Sequence, residues 1–424
     1  MTICMIGTGY VGLCSGVGFA AKGHRVTCVG RKKAKIDLIN KGVPPIYEAG
    51  LEELLKRLVA DRSFSATDDL AAAMQDAEAT FIAVGTPSGE DGRIDLAEIE
   101  TTSRQIGAVL KGLDYHVIVV KSTVVPGTSE KVIQLIEASS GKKAGRDFGV
   151  CMNPEFLREG KALDDFLRPD RIVIGELDKR SGDVLAGLYA GFNAPILRTS
   201  LRTAEMIKYA SNSLLATKIS FSNEIGNLCK KLGIDTYEVM KGVGLDHRIS
   251  PKFLEPGVGF GGSCFPKDVS ALKSLAEDSG CDARLLTSVL DVNKRQRLEI
   301  VRLLESKMGS VKGRTVALLG LAFKAGTDDI REAPALDIIR ALQEKGARVQ
   351  AYDPQAAENV RAVFPDVTYA KNVRDALAGA DACLILTEWD EFRALGAKDF
   401  YGVKVVIEGR RVLSHVPGTE GVCW

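Results

Sequence analysis

The sequence predicts an α/β protein: two Rossmann-like parallel-sheet domains joined by a long central helix and a helical middle domain. Three observations predict it. Short apolar runs alternate with amphipathic stretches at both ends of the chain. A glycine turn, "GTGYVG", directly follows the first apolar run. A long proline-free stretch separates the two alternating halves.

In the first region, 1–200, the strands are "TICMIG", "RVTCVG", "ATFIAVGTP", "HVIVVKST", "GVCMNPEF" and "RIVIGE", with helices such as "GLEELLKRLVA" and "SEKVIQLIEASS" between them. The second region, 201–308, opens with "LRTAEMIKYASNSLLATKISFSNEIGNLCKKLGI". It reads as one helix of roughly 30 residues, about 45–50 Å long, a spine between domains or a dimer surface. In the third, 309–424, "TVALLGLAF", "ARVQAYDP", "DACLILTEW" and "VKVVIE" are strands and "ALDIIRALQEKG" a crossover helix, a loose repeat of the first region without its glycine loop.

The totals narrow the class. A chain of 424 residues, 45% hydrophobic and 26% charged with a formal charge of +1, is an ordinary soluble protein of two or three domains. That balance offers no polyanion-binding face, so nucleic acid is not expected as a partner. No apolar run is long enough for a bilayer, and the chain opens directly on a strand pattern, so neither a membrane span nor a signal peptide is expected. Nine cysteines without a CxxC pair and four scattered histidines argue against disulfide, zinc and other metal sites; a reducing cytoplasm is the expected setting.

The first chemical motif is G-x-G-x-x-G over Gly7, Thr8, Gly9, Tyr10, Val11 and Gly12. Gly7 permits the tight turn, Gly9 lets backbone approach a pyrophosphate, and Gly12 lets the helix pack closely on the sheet. The second strand of such a unit ends on an acid when the cofactor is NAD. Here it ends on Gly30, followed by Arg31, Lys32 and Lys33, with Lys35 beyond. A glycine followed by arginine welcomes a 2′-phosphate, which predicts NADP, or at least tolerance of it beside NAD. The alternative is a solvated basic helix start on an NAD enzyme.

The second motif is "GVGFGGSCFPKD". Pro266 suits the first turn of a helix that Ser263 or Cys264 caps. A thiol there feels the positive end of the helix dipole, with Lys267 nearby, so a thiolate is expected. Asp268 lies one helical turn on, and the glycines are read as opening the backbone to a substrate. Together with a nicotinamide, such a thiolate can trap an aldehyde as a thiohemiacetal and carry it to a thioester that water releases as an acid. The alternative is a buried structural cysteine.

"GTGYVG", "FIAVGTP", "KSTVVPGT", "MNPEFLREG", "RPDRIVIG", "AEMIKYASNS", "DHRIS", "GFGGSCFPKD", "GLAFKAGTDDIRE" and "TEWDEF" resemble, in order and over essentially the whole chain, the UDP-glucose 6-dehydrogenases among the nucleotide-sugar 6-dehydrogenases. The resemblance implies four-electron oxidation of UDP-glucose to UDP-glucuronate with two NAD reduced per turnover. It implies Cys264 as the thioester nucleophile, Asp268 and Thr123 around a relay water, Glu155 assisting hydrolysis, and Lys208 with Asn212 holding sugar oxygens. It carries substrate contacts onto Phe156, Leu157, Phe253, Leu254, Gly259, Phe323, Lys324 and Arg410, and a homodimer onto Arg248, lent across the interface. Thr86, Ser122, Thr123, Glu159 and Arg331 match positions lining the dinucleotide. The family usually has an acid where this chain has Gly30, a departure that touches the cofactor and not the sugar. GDP-mannose or a UDP-N-acetylhexosamine is the alternative substrate. A non-catalytic sensor would not need Cys264, Lys208 and Asp268, and a two-electron β-hydroxyacid dehydrogenase would need neither the cysteine nor the last domain.

Overall fold

The computed structural model describes residues 1–89, 91–413 and 416–424. The chain forms two compact units, Met1–Ser211 and Asn212–Trp424.

In the first unit eight strands form one sheet: β1 (Thr2–Ile6), β2 (Arg25–Val29), β3 (Phe64–Thr67), β4 (Ala79–Ile82), β5 (His116–Val120), β6 (Phe148–Met152), β7 (Ile172–Glu176) and β8 (Ile196–Ser200). Their order is β3-β2-β1-β4-β5-β6-β7-β8, with the strand order reversing between β1 and β4. β4, β5 and β6 are buried along their whole length, as expected of strands covered by helices on both faces. The pairings are parallel except β6 with β7, which is antiparallel. The core holds a cluster of rings around Phe19, with Phe81, Phe166 and Tyr189 at 4.9–5.3 Å between centroids.

The second unit repeats the plan. Its strands β9 (Thr315–Leu319), β10 (Arg348–Tyr352), β11 (Thr368–Tyr369), β12 (Ala382–Ile385), β13 (Val405–Glu408) and β14 (Thr419–Gly421) run β11-β10-β9-β12-β13-β14. All pairs are parallel, and the order matches that of β1 to β6 in the first sheet. The repeat expected from the sequence is therefore a repeat of topology.

The long helix is Leu201–Leu232, 32 residues. It has no proline and a single glycine, Gly226, where an added Cβ would lie 2.7 Å from Cys423. Its buried positions recur every three to four residues: Ala204, Glu205, Lys208 and Tyr209 in the first unit, then Asn212, Ala216, Ile219 and Asn223 in the second. Several of these are polar, which a helix packed only for stability would avoid.

Candidate functional site

The glycine turn joins β1 to the helix Tyr10–Ala21. Gly7 has φ +125°, and a Cβ there would sit 2.2 Å from the Ala83 carbonyl oxygen. A Cβ on Gly12 would sit 2.1 Å from the Gly7 carbonyl oxygen, so the turn closes only with glycine at both positions. Gly9 is different: nothing lies within 4 Å of its Cβ position, and it caps a helix whose first amides are unpaired within the helix. That open place beside a helix N-terminus fits a dinucleotide pyrophosphate. Val11 packs on the core. The Tyr10 phenol donates to Glu48, and the Gly160 amide donates to both, at 2.7 Å to the Tyr10 oxygen and 2.8 Å to Glu48 Oε2. Burial and Glu48 push the Tyr10 phenol far up, so it stays a donor. The clasp fixes the backbone next to Glu159, which is half-buried.

At the end of β2, Lys32 caps the helix Lys33–Asn40, so the basic run opens a helix. Arg31 is exposed and forms an ion pair with Glu98 on the helix Ala97–Leu110. Lys35 is half-buried. Glu98 is an acid that sequence reasoning missed; it lies 68 positions from Gly30 and only the fold brings it to Arg31.

The ends of β4, β5 and β6 carry the polar residues of the first unit. Thr86 Oγ1 donates to the Thr123 carbonyl at 3.0 Å, and Ser122 Oγ donates to the Val84 carbonyl at 2.7 Å, which ties the two loops together. Glu155 is buried after β6 and accepts from Lys208 Nζ at 2.8 Å and from the Leu157 amide at 2.5 Å. Burial raises the Glu155 carboxyl, but the Lys208 ammonium, the Leu157 amide and Lys121 outweigh it and hold the group below the usual carboxylate range. Lys208 is itself buried, with its ammonium 5.5 Å from the Phe156 ring centre, and Arg171 stacks on that ring at 3.7 Å.

In the second unit Cys264 is the N-cap of the helix Phe265–Asp278, with Pro266 in its first turn. Its side chain makes no capping bond and is half-exposed, 3.6 Å from Ser263 Oγ. Asp268 is buried one turn on, its amide donating to the Cys264 carbonyl at 2.8 Å. Its carboxylate accepts from Asn212 Nδ2 at 2.6 Å and from Lys267 Nζ at 2.6 Å. Lys267, expected beside the thiol, is therefore paired with the acid. The structure thus brings Lys208 to Glu155 and Asn212 to Asp268, each with its own carboxylate.

The glycines before Cys264 have a packing cause that the sequence does not show. The place of a Cβ is already taken at Gly257 by the Gly409 carbonyl (2.6 Å), at Gly259 by Asn293 Oδ1 (2.6 Å), at Gly261 by the Glu332 carbonyl (2.2 Å) and at Gly262, where φ is +83°, by the Phe323 ring (2.8 Å). They let the cysteine loop lie against Asn293 and segments 323–332 and 409–410. Arg410 Nη2 donates to the Gly259 carbonyl at 3.0 Å, and the Gly262 amide donates to the Arg331 carbonyl at 2.9 Å. Phe253 holds φ +64°, unusual for a bulky residue, and meets Phe265 edge-on, with Leu254 buried beside it. Lys324 Nζ lies 5.5 Å over the Phe323 ring. Arg248 and Arg331 are exposed, and each guanidinium turns back onto an acid two residues upstream, Asp246 and Asp329.

Among the described residues no helix is long and apolar enough to cross a membrane, and no cluster of three metal-ligating side chains occurs. Three family models match in sequence: the UDP-glucose/GDP-mannose dehydrogenase NAD-binding domain over residues 1–193, the central domain over 202–295 and the UDP-binding domain over 317–415. The chain is 45% identical to a UDP-glucose 6-dehydrogenase of Bacillus subtilis (strain 168), over 97% of this chain and 89% of that one. It is 45% identical to a UDP-glucose 6-dehydrogenase of Haloferax volcanii over 99% of both. A solved UDP-glucose dehydrogenase from the archaeon Pyrobaculum islandicum superposes with a TM-score of 0.95 at 43% identity, covering 100% of this chain and 98% of that one. The chain is a member of the UDP-glucose/GDP-mannose dehydrogenase family.

Proposed function

We propose that this protein oxidises UDP-glucose to UDP-glucuronate in four electrons, through a thiohemiacetal and a thioester on Cys264. The observation that carries the reading is the half-exposed Cys264 thiol at a helix N-terminus, with Asp268 buried one turn below it. Relatives at 45% identity named as UDP-glucose 6-dehydrogenases support the sugar over GDP-mannose or a UDP-N-acetylhexosamine.

The helix dipole favours the Cys264 thiolate, which adds to the aldehyde carbon and forms the C–S bond. Two nicotinamides, binding in turn in the first unit, would each accept one hydride, one for each oxidation stage. Asp268 takes the proton of the alcohol through a water held with Thr123, and Asn212 keeps its carboxylate in place. Lys208 stabilises the alkoxide and the thiohemiacetal oxygen. Glu155, kept ionised by Lys208 and Lys121, takes a proton from the water that attacks the thioester; the C–S bond breaks and Cys264 leaves as thiolate. Phe156, Leu157, Phe253, Leu254, Gly259, Phe323, Lys324 and Arg410 hold the UDP-sugar, and Thr86, Ser122, Glu159 and Arg331 line the dinucleotide.

The same reading favours NADP. Gly30 leaves no carboxylate to repel a 2′-phosphate, and Arg31 can meet one once it leaves Glu98. It includes a homodimer in a reducing cytoplasm. Leu214, Phe221, Leu228 and Leu232 are large, apolar and exposed along one side of the long helix, an arrangement a second copy would cover, with Arg248 lent across.

The test is the rise in reduced-nicotinamide absorbance with UDP-glucose and NAD or NADP in separate cuvettes, for the wild type and Cys264→Ser. Wild-type turnover, faster with low NADP, and at most one slow hydride transfer in the variant are expected. Full uronate production by Cys264→Ser would overturn the thioester. Turnover only with GDP-mannose or an N-acetylated UDP-sugar would overturn the substrate.

A further inference from the structure

Lys121 stands at the end of β5, immediately before Ser122 and Thr123, and is 3% exposed. A buried ammonium needs acceptors. Lys121 Nζ donates to the Asn153 side chain at 2.9 Å and to the Asn153 carbonyl at 3.3 Å. Asn153 is in turn fixed by the Tyr189 hydroxyl, which donates to the same Oδ1 at 2.6 Å, and by its own Nδ2, which donates to the Val173 carbonyl at 2.8 Å. Asn153 begins the Asn153–Pro154–Glu155 segment. Lys121 thus grips the backbone from which Glu155 reaches Lys208.

Its charge acts on the same pair. The charged groups that face it are Glu155 and Lys208, and it lowers the Glu155 carboxyl. Two buried ammonium groups over one carboxylate leave the cluster net positive. Such a cluster favours a negative charge developing on a bound oxygen more than a neutral ion pair would.

We propose that Lys121 is a positioning residue of this site: it holds the Asn153–Glu155 segment and adds the second positive charge behind the Lys208–Glu155 pair. Burial is the main force on Lys121 itself and brings its ammonium down to about 8, so the charge is present at neutral pH and fades above it. The inference rests on the reading of Lys208 and Glu155 given above.

The test compares kcat/KM for UDP-glucose in wild type, Lys121→Met and Lys121→Gln from pH 6.5 to 9.5. Glutamine keeps a donor to Asn153 and removes the charge. Both variants are expected to lose roughly tenfold at pH 6.5, with the ratio to wild type narrowing as pH passes about 8, where wild-type Lys121 also becomes neutral. A ratio that stays flat with pH, or full activity in the glutamine variant, would overturn the proposal and leave Lys121 a packing residue. If Lys121→Met does not fold, Lys121→Gln alone decides by the same ratio. Lys208→Met separates the two readings: full activity in that variant sinks the underlying site, whereas loss there with a flat Lys121 ratio sinks only this inference.

Discussion

The Lys208–Glu155 pair sets up a double-mutant cycle whose size follows from its geometry. The two side chains are 3% and 6% exposed and 2.8 Å apart. At an effective dielectric of about 20 that separation corresponds to roughly 6 kcal/mol of attraction, offset by the cost of taking both charges out of water. Lys208→Met leaves Glu155 buried, but with the Leu157 amide and Lys121 still favouring its charge, so the loss is expected at the low end for a broken buried pair, about 3 kcal/mol. Glu155→Gln leaves two buried ammonium groups without an anion and should cost more, about 4 kcal/mol. The double variant has lost the attraction only once, so it should be at least about 2 kcal/mol more stable than the sum of the single losses implies. Guanidinium unfolding at pH 7, read by circular dichroism, measures all four corners. Single losses that add to the double within about 0.5 kcal/mol would mean the two charges do not interact, and the buried pair as described would be wrong.

Three further outcomes follow from particular contacts. Gly30→Asp with Arg31→Ile should shift the ratio of kcat/KM values toward NAD; a Cβ at Gly30 would lie 2.7 Å from Thr8 Cγ2, so Thr8 must rotate, and an unchanged ratio would mean these residues never meet the adenosine ribose. Gly9→Ala should leave thermal stability nearly unchanged while raising the KM for the dinucleotide, whereas Gly12→Ala, blocked by the Gly7 carbonyl, should lower the melting midpoint; equal stability losses in the two variants would contradict the open place at Gly9. Burial pushes Glu205 up to about 7, against hydrogen bonds from Ser129 and the Gly127 amide and alongside the nearby Glu130, which Arg202 pairs. A raised acid stabilises the fold below its unfolded value of 4.5 and loses that contribution as pH rises through about 7, so wild type should lose about 3 kcal/mol relative to Glu205→Gln across that window; a difference independent of pH would refute it.

Ten of the fourteen strands among the described residues, and the long helix, were legible because each is an apolar run or an unbroken amphipathic one. β3, β8, β11 and β14 were not. They lie at sheet edges, and β8 is mostly exposed, so "ILRTS" carries no buried run to read. The antiparallel pairing of β6 and β7 is invisible for another reason: direction depends on the connection, and apolar patterning is the same either way. The chemical residues stood out by motif, but their partners did not. Nothing in the sequence marks Lys121, whose burial against Asn153 only the fold shows, and Glu98 meets Arg31 only through the crossover of the sheet. The glycines of the cysteine loop stood out by their number, but the packing that requires them did not, since what fills the space beside them comes from Asn293 and segments 323–332 and 409–410.

The most direct test of the thioester chemistry is the stoichiometry of a single limiting addition of UDP-glucose: reduced nicotinamide formed per sugar consumed, with the product identified by mass. Two reduced nicotinamides per UDP-glucose, with UDP-glucuronate as product and no free aldehyde released, is the predicted result. One per sugar, with an aldehyde accumulating, would contradict it and leave Cys264 without a covalent role.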